Sequence, residues 1–394
     1  MIFLTAADIV LPDRVLTGGT IVIDGDRIID VVAGTPSSSV ADVRVELPHH
    51  TIVPGFIDVH VHGIEGNDTL DGADAVARIA ARLPRHGVTA FCPTTVACSP
   101  LDLRTMLGAV RAARLKPAAG AARVLPAHLE SNFINPDYRG AQPLECLRSP
   151  CDRADRREGD FTGGDILREI EAARPDVGIL TIAPELDGAI ELIRQLVAHG
   201  HHVSLGHSGA SYDQAVDAIG AGARQATHLF NRMTPINHRA PGLAAAVLEH
   251  EEVTAEIVCD GVHVHPSMVR VALAAKTAAK VMAITDGTAG SGLAPGSRTA
   301  LGGRGITVRN AAYLDDGTLA GSVLTMDRAF AKLVHDLELS LVDAATICAT
   351  TPARALGLQG FGVIAPGAAA DLAVLGANFT VRQAWIGGEL VFGS

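Results

Sequence analysis

A chain of 394 residues that is 48% hydrophobic, Gly-rich (41 residues) and only 4% aromatic is long enough for two domains or one large α/β barrel. Its formal net charge of −11 argues against nucleic acid or an anionic membrane as a partner, since both recruit Lys and Arg in excess. With no basic leader, no apolar run of the roughly 18 residues that span a bilayer, and six cysteines that form no CxxC pair, a cytoplasmic protein with reduced thiols is expected.

The N-terminal stretch reads as short strands. Thr20 to Ile23 and Arg27 to Val32 are β-rich and flank the turn signal Asp24-Gly25-Asp26, and Val43 to Leu47 is a further strand. Val53 to Gly63 follows as a turn and a short apolar strand ending in His60-Val61-His62. Residues i and i+2 of a strand share a face, so both imidazoles aim at one point, as a divalent metal requires. From there the period changes. Apolar runs at Phe56–His62, Val88–Thr95, Arg123–Glu130, Val177–Ala183, His202–His207, Ala226–Phe230, Thr254–Cys259 and Lys280–Asp286 alternate with helical stretches. Helices are expected over Asp74–His86, Leu101–Leu115, Gly164–Arg174, Gly188–His199, Tyr212–Gly220 and Pro266–Ala279, with closing helices at Thr325–Leu337 and Leu341–Leu356. Eight such runs suit a (β/α)₈ TIM-like barrel. The C-terminus returns to strands at Ala370–Leu375, Thr380–Ile386 and Glu389–Phe392. The expected fold class is therefore α/β: a barrel over 54–358, with a small β-sandwich built from both termini, 1–53 and 359–394.

Metal-capable side chains fall at the C-terminal ends of these runs: His60 and His62, Glu130, His207, His228 and Asp286. Barrel enzymes carry their active sites on that rim. Glu130, His207 and His228 supply one carboxylate and two imidazoles, a set that suits zinc and also fits iron, manganese or cobalt. His60 and His62 either enlarge this site or hold a second ion. A metal in such a site lowers the pKa of water from about 15.7 toward about 7. Asp286, followed by Gly287, is placed to take the proton.

The motifs PGFIDVHVHG, AHLESNFINP, SLGHSGA, ATHLFNRM, CDGVHVHP, AITDG, DGTLAGSVLTMD and TPARALGL with APGAAADLAVL resemble the amidohydrolase superfamily, and within it the N-acetylglucosamine-6-phosphate deacetylases. The resemblance runs from about residue 10 to the C-terminus. It implies a metal-dependent hydrolase barrel that releases acetate from a phosphorylated N-acetyl amino sugar. By position it implies Glu130, His207 and His228 as main metal ligands, Asp286 as general base and acid, and His60 and His62 as the pair of members that hold a second metal. Asn231, Asp260, Gly261, Val262, His263, Leu319, Ala320 and Gly321 match sugar and acyl contacts. Arg239 matches an arginine that reaches the ligand of a neighbouring subunit, which implies a homodimer.

Three departures stand out. Glu130-Ser131-Asn132 replaces Glu-Gly-Pro, losing a permissive glycine and a stiffening proline. Gly140-Ala141-Gln142 replaces Gly-Ala-His, so Gln142 is expected to face the reacting carbonyl as a neutral amide donor. Asn231-Arg232-Met233 adds a cation where the family presents small residues. Together these fit a related N-acylated sugar phosphate as well as the usual one. Two other classes stay open: a cyclic-amide or deaminating amidohydrolase, disfavoured because Val177–Leu186 has no lysine, and a catalytically weak sugar-phosphate binder.

Overall fold

A computed structural model describes residues 1–37, 42–151 and 160–393. Both chain ends join one seven-stranded sheet in the order Glu389–Phe392, Val381–Ile386, Leu372–Leu375, Val43–Pro54, Ile2–Val10, Val15–Asp24, Arg27–Ala33. The seam between the termini is antiparallel, with Leu372 opposite Pro54 and Val374 opposite Ile52. The sheet also rolls toward itself. Ala370 N–H donates to Asp26 O, and Gly388 N–H to Ala370 O, at 2.9 and 3.0 Å. Leu4, Ile9, Ile21, Ile28, Ile52, Val374 and Trp385 fill the interior. This is the small β-domain expected from the two β-rich ends.

Eight parallel strands form the barrel: Phe56–Val61, Val88–Thr95, Ala127–Leu129, Val177–Ile182, His202–Leu205, Gln225–Ala226, Thr254–Val258 and Val281–Ile284. Every apolar run predicted as a barrel strand contributes one of them. Only Ala226 of the run Ala226–Phe230 lies in the strand, because His228 and Phe230 adopt left-handed backbone. The last strand approaches the first through a parallel bridge between Gly287 and Val61 and the hydrogen bond from Thr285 Oγ1 to Asp58 (2.6 Å). Gly55 links the sheet strand Val43–Pro54 to the first barrel strand, and a Cβ there would lie 2.3 Å from the Thr89 side chain, so no other residue fits.

The predicted helices form with shifted ends, and the sequence reading left several elements unnamed, among them the strand Ile2–Val10, a helix and a small sheet. The helix Gly242–Glu249 is an Ala-rich stretch without a polar face. A three-stranded sheet, Arg298–Leu301, Arg304–Val308 and Ala312–Leu314, is inserted after the eighth strand. No helix among the described residues is long and apolar enough to cross a membrane.

Barrel and tail are locked at the base by three rings. Phe56 stacks on Phe330 at 5.4 Å, and Phe330 meets Phe379 edge-on at 5.3 Å. Phe56 and Phe330 are fully buried. Phe330→Ala is expected to cost about 3–5 kcal/mol, as large-to-small aromatic changes in a core do, read as a lower denaturant midpoint.

Candidate metal centre

Six buried side chains converge where the strands end. His60 sits in the first strand and His62 one residue past it, while Glu130 directly follows the third. His207, His228 and Asp286 each lie two residues beyond the fifth, sixth and eighth strands, with φ of 48°, 31° and 47°. Left-handed backbone is costly for residues with a Cβ and persists only where surrounding structure imposes it. Here it turns each chain inward as its strand ends. Gly321 completes the wall: at φ 75° it passes so close that a Cβ would be 3.0 Å from Asp286 O.

The side chains form two adjoining trios. In the first, Glu130 Oε1 is 2.8 Å from both His207 Nε2 and His228 Nε2, and those nitrogens are 3.0 Å apart. His207 Nδ1–H donates to Tyr138 O at 2.8 Å, which leaves a lone pair on Nε2. Glu130 Oε1, His207 Nε2 and His228 Nε2 thus converge on one point, and His228 Nδ1 has no partner among the described residues. This donor set fits a divalent metal. In the second trio, His60 Nε2 and His62 Nε2 are 3.2 Å apart and lie 3.5 and 3.3 Å from Asp286 Oδ1. Glu130 Oε2 reaches toward it, 3.4 Å from His62 Nε2.

The electrostatics favour positive charge. Burial alone would lower the His62 pKa, yet Asp286 and Glu130 push it up to about 10. Burial would raise Asp286, but the hydrogen bond from His62 and the charges of His60 and His62 hold it below the usual carboxylate range. Glu130 is likewise held well below its ordinary value, with His207 and His228 outweighing burial.

The surrounding residues fix these groups. Glu185, past the fourth strand, accepts from Asn135 Nδ2, Ser208 Oγ and Gly209 N–H at 2.8, 2.7 and 2.6 Å, tying the loop after Glu130 to the loop carrying His207. Ser131 and Asn132 are anchored in turn. Ser131 Oγ–H donates to Thr181 O (2.6 Å), and Asn132 Nδ2 donates to Cys98 O and Cys146 O (2.8 and 2.7 Å). Hydrogen bonds therefore supply the stiffness that the family's proline would give.

Gln142 behaves differently from its expected role. Its Oε1 accepts the Ala97 N–H at 2.7 Å, which orients the amide and directs Nε2 onto Glu130 Oε2. The amide steadies a carboxylate as well as lining the cavity.

Of the other predicted contacts, Ala141, Asn231, Arg232, His263, Leu319 and Gly321 line the cavity with the metal-capable cluster; Leu301, from the inserted sheet, was not anticipated. Asp260 lies behind His263, accepting its Nδ1–H at 2.7 Å and the Val262 and His263 backbone N–H groups at 2.8 Å. Gly261, Val262 and Ala320 are outside the lining residues, and Arg239 is exposed on the loop beyond Asn237. Arg232 lies across Gly140, where a Cβ would be 2.7 Å from its Nε.

Sequence reasoning missed Glu256, in the seventh strand, and His128, in the third. Both are fully buried inside the barrel, His60 Nδ1 being 3.0 Å from Glu256 Oε2. The legible signal was a charge inside an apolar run, Thr254-Ala255-Glu256-Ile257-Val258.

If the trios act separately, replacing His60 and His62 together by Ala is expected to lower the number or affinity of bound cations. One equivalent at Glu130 should remain, as metal analysis of the purified variant would show.

The amidohydrolase family model matches residues 51–391. The chain is similar to the N-acetylglucosamine-6-phosphate deacetylase of Bacillus subtilis (strain 168), at 33% identity over 392 residues, covering 98% of this chain and 95% of that one. It is also similar to the N-acetylgalactosamine-6-phosphate deacetylase of Escherichia coli O157:H7, at 32% identity with coverages of 86% and 87%. The crystal structure of N-acetyl-D-glucosamine-6-phosphate deacetylase from Mycobacterium smegmatis superposes with a TM-score of 0.88 at 34% identity, covering 100% of both chains. The chain belongs to the amidohydrolase family, in its N-acetylglucosamine-6-phosphate deacetylase branch.

Proposed function

Proceeding from that membership, we propose that the protein hydrolyses the acetamide of N-acetylglucosamine 6-phosphate to glucosamine 6-phosphate and acetate. The observation that carries this reading is the convergence of Glu130, His207, His228 and Asp286 on one cavity at the barrel rim. Zinc is the metal we favour, from one carboxylate and two imidazoles in the first trio.

When bound there, a divalent cation would supply Lewis acidity toward the acetamide carbonyl and water. Glu130, with its second oxygen steadied by Gln142, and the two imidazoles would hold it. The chain's own residues do the rest. Asp286, held ionised, takes a proton from the attacking water and later delivers it to the departing amine, so no covalent enzyme intermediate forms. His263, its Nδ1–H committed to Asp260, turns Nε2 toward the sugar.

Arg232, with no carboxylate paired to it among the described residues, grips the phosphate. A charged hydrogen bond contributes about 1.5–3 kcal/mol, so Arg232→Ala is expected to raise KM roughly ten- to a hundredfold while kcat changes little. Unchanged KM and kcat would remove this role. Arg239, exposed beyond the cavity, is assigned to a neighbouring subunit's ligand in a homodimer, and the six free cysteines fit a cytoplasmic setting.

A coupled acetate-release assay tests the activity. N-acetylglucosamine 6-phosphate should be turned over with the higher kcat/KM, and preference for N-acetylgalactosamine 6-phosphate would reassign the sugar.

A further inference from the structure

Glu256 points into the barrel from the seventh strand, Thr254–Val258, beneath the rim and fully buried. A carboxylate taken so completely out of water needs a partner. His128 is not a full one. Its Nδ1 is 3.8 Å from Glu256 Oε1, but the Nδ1–H is committed to Val59 O (3.0 Å) and Nε2 meets Thr181 Oγ1 (2.9 Å). Among the described residues, His60 is the close side-chain partner, its Nδ1 3.0 Å from Glu256 Oε2.

That contact fixes which way the ring faces. A neutral His60 that donates its Nδ1–H to Glu256 Oε2 has its lone pair on Nε2, which lies 3.2 Å from His62 Nε2 and 3.5 Å from Asp286 Oδ1. An acceptor oxygen at Glu256 below therefore presents Nε2 as a ligand atom to the site above.

The same residue touches the first trio. Glu256 Oε2 lies 3.4 Å from the His228 backbone N–H, and its carbonyl accepts the Leu229 N–H at 2.8 Å. It thus spans the left-handed turn that presents His228 and the strand that presents His60.

We propose that Glu256 is a positioning residue that sets His60 in its ligand form, and so determines whether a second divalent cation binds at His60, His62 and Asp286. The inference rests on the metal-centre reading but not on the identity of the sugar. Carboxylates that orient a ligand histidine typically contribute 10- to 100-fold to metal affinity.

The test is Zn²⁺ titration of the chelator-stripped full chain by calorimetry, with metal counted on the reloaded protein. Wild type should take up two equivalents. Glu256→Gln, which keeps the shape but not the charge, should weaken the second equivalent by about 10- to 100-fold and leave the first unchanged. Glu256→Leu should bind one equivalent, and the retained first equivalent shows that the variant is folded. In a His60→Ala background, Glu256→Gln should have no further effect on zinc uptake. The proposal is overturned if wild type binds a single equivalent, if Glu256→Gln binds two as tightly as wild type, or if both equivalents weaken together. Metal-dependent acetate release persisting in any of these cases would leave the deacetylase reading standing while removing this one.

Discussion

Asp286→Asn is expected to abolish most turnover while leaving the fold and the first metal trio in place. The carboxamide keeps the size of the side chain and its hydrogen bond to the rim, but it cannot accept the proton of the attacking water. General acid–base groups contribute about 10²–10⁴ in rate, and the role proposed for Asp286 covers both directions of proton transfer, so kcat should fall toward the upper end of that range. KM for the sugar phosphate should move far less, because the cavity is also lined by Asn231, Arg232, His263 and Leu319. Steady-state kinetics with a metal count on the same preparation would check this. Activity within tenfold of wild type, with metal retained, would refute Asp286 as the base.

Glu130→Ala should be as damaging by a different route. Its Oε1 is the atom shared by His207 and His228, and its Oε2 reaches the second trio at His62 and is steadied by Gln142. Removing the carboxylate leaves two buried imidazoles 3.0 Å apart with no anion between them. The first cation should then be lost. Metal ions supply several kcal/mol of transition-state stabilisation, and each 1.36 kcal/mol is a factor of ten, so acetate release should drop by about three decades or more. In contrast to Asp286→Asn, the metal count falls together with activity, which separates the two roles.

The barrel was legible because its signals are local. A parallel strand buried on both faces reads as an unbroken apolar run, and all eight runs carry a barrel strand. Metal-capable residues recur at the ends of those runs, and the strand ends bring them together. The helix Gly242–Glu249 was not legible, because Gly-Leu-Ala-Ala-Ala-Val-Leu-Glu is apolar around its whole surface and shows no 3.6-residue stripe. The inserted sheet was missed for the opposite reason: its strands are three to five residues long and partly exposed, too short for a period-2 pattern.

Within the site, type and order could be read but direction could not. Gln142 was expected on the carbonyl, but the Ala97 N–H turns its amide onto Glu130, a contact between residues 45 apart in sequence. Glu185 and Glu256 act on loops and strands distant in the chain, so no spacing rule announces them. The left-handed turns at His207, His228 and Asp286 are equally silent, since nothing in Gly-His-Ser, Thr-His-Leu or Thr-Asp-Gly demands positive φ without the barrel around it.

We propose that a cation held at Glu130, His207 and His228 makes this barrel an amide hydrolase for a phosphorylated amino sugar. The most direct test is acetate release from N-acetylglucosamine 6-phosphate by the purified chain before chelation, after chelation, and after zinc is restored. We predict release that disappears with the metal and returns with it. Zinc bound at the expected site with no acetate released would contradict the account.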